Sequence, residues 1–116
     1  MKDLKLSKEL FNEATNSKCH EVFIKDEFII AHSNLGMKMV NIYEFVFMCK
    51  EWVNKQEYWA NSGYDNKYYC MLRDMPDNKW FYADTEVEAI IQACEWVLSS
   101  VYKECEWRRF KNCGLS

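Results

Sequence analysis

Two segments of this chain begin and end alike, and the match dictates where its long helices lie. Asn41-Ile42-Tyr43-Glu44 opens one apolar run and Thr85-Glu86-Val87-Glu88 opens another, from position 41 to position 85, a spacing of 44 residues. Seven residues beyond each Glu stands the same triplet, Glu51-Trp52-Val53 and Glu95-Trp96-Val97. In both openings a side-chain oxygen can take an orphan helix amide while the Glu three residues later reaches back, the pattern of a capping box.

Between the caps, apolar residues recur at helical spacing. Ile42, Phe45, Val46, Cys49, Trp52 and Val53 give the first helix a core face, and it runs to about Gln56. Val87, Ile90, Ile91, Cys94, Val97, Leu98 and Val101 do the same for the other, which runs to about Glu106, with Gly114 as a stop signal. Trp52 and Trp96 hold equivalent places, so both are expected to be buried, each at a cost of ~3–5 kcal/mol on truncation to Ala.

The residues ahead of each helix favour strands. Glu21–Lys25 and Glu27–His32 read as a hairpin turning at Asp26-Glu27, and Met37–Val40 as a short third strand after the Asn34-Leu35-Gly36 turn. In the second half, strands are expected at 57–60, Lys67–Arg73 and Lys79–Ala83, with turns at Asn61-Ser62-Gly63 and at 74–78. Ser7 can cap a short leading helix over Lys8–Ala14. The chain thus reads as one α+β domain over residues 1–116, in the order α-β-β-(β)-α-β-β-β-α. It has two layers: a mostly antiparallel sheet of about five strands, with the two long helices on one face. Residues 20–56 and 57–106 form a strand-strand-helix pseudo-repeat. Duplication explains it, and so does convergence of two amphipathic helices packed on one sheet.

Composition narrows the function classes. Apolar residues are 49% of the chain, enough for a core, and with 3 Gly and 1 Pro long linkers are not expected. The net charge of -3, from 15 basic and 18 acidic residues, lacks the clustered basic excess that nucleic-acid binding needs. Met1-Lys2-Asp3-Leu4-Lys5 does not lead into a secretory apolar stretch, and no run approaches the roughly 20 apolar residues that span a bilayer. The expected compartment is the cytoplasm, and the six cysteines (19, 49, 70, 94, 105 and 113) are expected to be reduced thiols.

Catalytic signatures are weak. Cys19-His20 resembles a nucleophile–base pair, but strand neighbours point to opposite faces. His32 has no ligand spacing around it, no Cys-x-x-Cys exists, and glycines at 36, 63 and 114 cannot form a phosphate loop. Capping accounts for Glu44 and Glu88. The expectation is a non-enzyme with neither metal nor cofactor. The locally basic Cys105–Lys111 stretch reads as a cation-rich helix end that suits the dipole.

The aromatics, 16% of the chain, are harder to place. Tyr58, Trp59, Tyr64, Tyr68, Tyr69, Trp80, Phe81 and Tyr82 crowd into the stretch from Tyr58 to Tyr82. Strand alternation forbids Tyr68 and Tyr69, or Trp80 and Phe81, from sharing a face, so some rings must lie on the open side of the sheet. Such clusters serve protein interfaces. Tyr68, Trp80 and Tyr82 are the expected anchors, with Arg73 and Lys79 beside them. The acidic Asp65, Asp74, Asp77 and Asp84 favour a protein partner over nucleic acid. A two-fold homodimer through the second unit is the expected assembly.

Asn41-Ile42-Tyr43-Glu44-Phe45, Cys49-Lys50-Glu51-Trp52 and the run Glu88–Leu98 resemble segments of small proteins encoded in bacteriophages and prophages. That resemblance implies a phage accessory protein in the bacterial cytoplasm that binds and inhibits a host protein, an anti-defence inhibitor of the anti-CRISPR kind included. It carries over no catalytic residue, and the tail from Arg108 and the aromatic middle fall outside it. The alternative is a small-ligand protein that sequesters a nucleotide signal by stacking it beside Arg73 or Lys79; an enzyme ranks third.

Overall fold

Each long helix starts where a polar side chain meets an apolar period. In the computed structural model, which describes residues 4–56, 58–73 and 78–115 and side chains up to Ser100, Asn41 Oδ1 accepts from the Tyr43 amide at 2.9 Å. Thr85 Oγ1 accepts from the Glu88 amide at 3.1 Å. Each satisfies one orphan donor. The return bonds from Glu44 and Glu88 are absent among the described residues, so these are simple caps rather than full boxes. Ser7 Oγ caps the leading helix at Leu10 N, 3.1 Å away.

The elements are α1 (Lys8–Thr15), β1 (Glu21–Lys25), β2 (Phe28–Ser33), β3 (Gly36–Asn41), α2 (Ile42–Lys55), β4 (Trp59–Asp65), β5 (Lys67–Arg73), β6 (Lys79–Ala83) and α3 (Glu86–Leu115). This is the expected α+β order, the bracketed strand included. The strands, however, form two antiparallel sheets of three, β1-β2-β3 and β4-β5-β6, rather than one sheet of about five. The reason lies at Asn41, which is both the last residue of β3 and the cap of α2. The chain leaves the first sheet there and travels the length of α2, about 21 Å, before β4 begins. The repeating unit is therefore three strands and a helix.

Turn chemistry explains a second difference. Asn61-Ser62-Gly63 lies inside β4, and the chain reverses at Asn66, whose φ of 63° is one that Asn tolerates. Gly63 serves close approach instead: a Cβ there would stand 2.9 Å from Tyr69 Oη, so the Tyr69 ring lies across the glycine. Asp26, φ 57°, turns the first hairpin as expected. The helix α3 continues past Gly114 to Leu115, and of the turn expected at 74–78, residues 74–77 lie outside the described residues.

The core forms where the helices meet the inner sheet faces. Six α2 residues are buried, Ile42, Phe45, Val46, Cys49, Trp52 and Val53, the set read from the period. The α3 stripe is buried from Val87 to Leu98, with Ala89 and Ala93 added; Val101 lies beyond the described side chains. Beneath them lie Ile29 and Ala31 of β2 and Cys70 and Leu72 of β5. Phe11 of α1 stacks on Phe45 with ring centroids 5.6 Å apart. The expected equivalence of the two tryptophans holds only in part. Trp52 is buried at 6% exposure, whereas Trp96 is half-buried beside Tyr58, Phe81 and Lys79. The single α1 packs mainly on α2 and also touches α3.

Candidate functional site

Strand register sorts the aromatics into two groups. In β5 and β6, Tyr69 pairs with Tyr82 and Met71 with Trp80, which puts all four on the open face of the second sheet. In β4 and β5, Trp59 pairs with Arg73 on that same face. Trp80 and Tyr82 stack at 6.2 Å with planes 9° apart, and Tyr69 leans on Trp80 at 5.3 Å. Trp59, Trp80 and Tyr82 are 64%, 50% and 52% exposed. This face is a ladder of rings held against one another, with Arg73 at one corner.

Tyr68 and Lys79 do not belong to it. Tyr68 pairs with Ala83 and Lys79 with Leu72, so both point to the helix side. The Lys79 ammonium stands 5.9 Å from the Trp96 ring centroid. Of the five residues expected to act together, Trp80, Tyr82 and Arg73 share a face; the ring that joins them is Tyr69. Placing Tyr68 with them required the register across the β5–β6 connection, which alternation within one strand does not supply.

Tyr68 instead lines a cleft of about 520 Å³ between α2 and the start of α3. Its floor is Val46, Val87 and Ile90, its walls are Tyr43, Phe47 and Tyr68, and Asp84 and Glu86 form its lip. Lys50 is tethered at one side: its Nζ donates to Ser62 Oγ at 2.6 Å, and Ser62 donates in turn to Glu86 Oε1 at 2.7 Å.

The first sheet also has an apolar outer face, which sequence reasoning passed over. Phe23, Ile30 and Met39 are aligned across the three strands, with Met37, Phe28 and His32 on the same side. His32 stacks on Phe23 at 5.9 Å. Two signals in the sequence could have shown it: Phe28-Ile29-Ile30-Ala31 is apolar on both parities, and Met37-Lys38-Met39 alternates.

The buried thiols and Glu95 are held within the packed elements. Cys19 is buried while His20 is exposed, with the His20 amide donating to His32 O at 2.9 Å. Cys49, Cys70 and Cys94 are free and buried where α2, α3 and β5 meet. Burial pushes the Cys70 thiol up to about 12, with Cys94 nearby adding to the effect. The hydrogen bond with Cys49, and then burial, keep Cys94 protonated. Glu95 accepts from Ser7 Oγ at 2.6 Å, which fastens the α1 cap to α3; burial raises its carboxyl above the ordinary range despite that bond. No group of three or more His, Cys, Asp or Glu able to hold a metal occurs among the described residues. No helix among them is long and apolar enough to cross a membrane.

No family model matches this chain, and no curated protein or solved structure matches it either.

Proposed function

We propose that this chain is a non-catalytic binding protein of the phage accessory type, which docks a host protein through the open face of its second sheet. The observation that carries the reading is the ring ladder of Tyr69, Trp80 and Tyr82, flanked by Trp59 and Met71. Large rings locked by their neighbours lose little conformational freedom on docking, and this makes them efficient anchors. Inhibition of a defence protein, in the manner of an anti-CRISPR, is the finer form of the proposal and draws its support from the resemblance of the helix segments.

The nucleotide-sequestering alternative needs cations convergent on the rings. Arg73 shares their face, but Lys79 lies on the other side of the sheet, which favours a protein surface. The two-fold homodimer expected from the sequence would compete for the same rings, so the test must separate the two.

The experiment is light scattering of the purified chain, followed by affinity capture from bacterial host extracts with wild type, Trp80→Ala, Tyr82→Ala and Tyr68→Ala. The expected result is one host protein retained in stoichiometric amount by wild type and Tyr68→Ala. Trp80→Ala and Tyr82→Ala should each weaken it by ~2 kcal/mol or more. A dimer dissociated by Trp80→Ala would assign the face to self-association instead. Equal retention by all four proteins would remove the ladder from the binding surface.

A further inference from the structure

The cleft between α2 and the start of α3 is separate from the ring ladder, because Tyr68 points to the opposite side of its sheet from Trp80. We propose that this cleft binds a small organic cation carrying a flat apolar ring.

Its size comes first. At about 520 Å³ it falls within the range of small-molecule sites, which are concave, mostly apolar, and carry a few polar groups. Val46, Val87 and Ile90 make the floor greasy, so the body of the ligand must be apolar. The walls are aromatic: Tyr43 and Phe47 on α2 face the cleft from one side and Tyr68 from the sheet. Tyr43 and Phe47 remain 52% and 63% exposed, an unusual state for side chains of their size flanking a concave floor.

The charge of the lip then selects among apolar ligands. Asp84 has no hydrogen-bond or ion-pair partner among the described residues, and Glu86 accepts only the Ser62 hydroxyl. Among the described residues lining the cleft the one cation is Lys50, whose ammonium is turned to Ser62 but keeps its charge, so Asp84 and Glu86 together leave the cleft net negative. The start of α3 would ordinarily attract an anion, but Thr85 already takes the Glu88 amide with its Oγ1 and the Ala89 amide with its carbonyl. Two carboxylates stand in front of what remains. A phosphate or carboxylate would meet like charge there. An ammonium would meet both carboxylates and the faces of the aromatic walls, each of which attracts a cation.

Three probes with the same ring isolate the charge: tryptamine (cationic), tryptophol (neutral) and indole-3-propionate (anionic). Each is titrated into the full chain and followed by amide chemical shifts. Tryptamine should saturate, with the largest shifts at Tyr43, Phe47, Tyr68 and Thr85, and bind about tenfold tighter than tryptophol, while indole-3-propionate should not saturate. In the double variant Asp84→Asn/Glu86→Gln, tryptamine should fall to the tryptophol affinity. Phe47→Ala, at an exposed position that leaves the melting temperature in place, should weaken both by tenfold or more. The proposal is overturned if tryptamine does not saturate, or if the three probes bind equally. It is equally overturned if tryptamine keeps its advantage in the double variant, or if a folded Phe47→Ala protein binds it as wild type does.

Discussion

Trp52 carries a conflict that a pair of substitutions can expose. Its ring is buried in the core, yet its indole Nε1 has no hydrogen-bond partner among the described residues. Removing the whole ring by Trp52→Ala deletes one of the larger buried side chains and leaves a cavity, which costs ~3–5 kcal/mol. Trp52→Phe is a different perturbation. It gives up roughly 40 Å² of apolar contact, worth ~1 kcal/mol. It also removes an unpaired buried donor, whose desolvation costs ~1–3 kcal/mol while it stands. The two effects nearly offset, so Trp52→Phe should lie within about 1 kcal/mol of wild type. Urea unfolding followed by far-ultraviolet circular dichroism separates the outcomes. With a slope of ~1–3 kcal/mol per molar, the Ala variant should lose roughly 2 M in its midpoint and the Phe variant well under 1 M. A Phe variant as unstable as the Ala variant would refute the argument, since the N–H would then have to be paired in solution. Trp96→Ala is the internal comparison: half-buried, it should cost less than Trp52→Ala.

Denatured protein should titrate six free thiols, while at pH 8 the native Cys70, buried and pushed up to about 12, stays protonated and should react with Ellman's reagent far more slowly than on unfolding. Glu95 binds its proton more tightly in the fold than in the unfolded chain, so its effect on stability is most favourable below the ordinary value of 4.5 and is lost as pH rises through the elevated folded value. Glu95→Gln, which can still accept from Ser7, should therefore gain on wild type across that window in melts run from pH 4 upward, and a constant difference would contradict the assignment. Gly63→Ala should displace the Tyr69 ring and loosen its contact with Trp80, costing up to about 1 kcal/mol and shifting the Trp80 indole resonance in NMR.

The helix starts were legible because two local signals agreed there, a polar cap and an apolar stripe of helical period, whereas α3 runs on past the expected end near Glu106 to Leu115. Asn41 and Thr85 required no knowledge of the rest of the chain. The strands were legible as strands from their composition, but their assembly was not. Splitting into two sheets depends on where α2 delivers the chain, a tertiary matter that residue types in β3 and β4 do not encode. The turn was misplaced at Asn61-Ser62-Gly63 because glycine was read for its freedom of φ, whereas Gly63 is needed for the space under Tyr69. Trp96 was read as buried by analogy with Trp52, but its ring sits beside Tyr58, Phe81 and Lys79 and is only half-buried.

The same limit governs the proposed binding surface. Alternation within β6 was enough to set Trp80 beside Tyr82, and the pair is stacked as it requires. Joining β5 to β6 needed a register, and a single-residue shift exchanges Tyr68 for Tyr69. That exchange matters chemically. With Tyr69, the open face becomes a continuous ladder with one corner cation, suited to a broad, largely uncharged partner surface. Tyr68, freed from it, closes one side of a cleft whose lip is acidic. One parity error thus merged two surfaces of different character, and correcting it gives each a separate test: Trp80→Ala should disturb the face and spare the cleft, and Phe47→Ala should do the reverse.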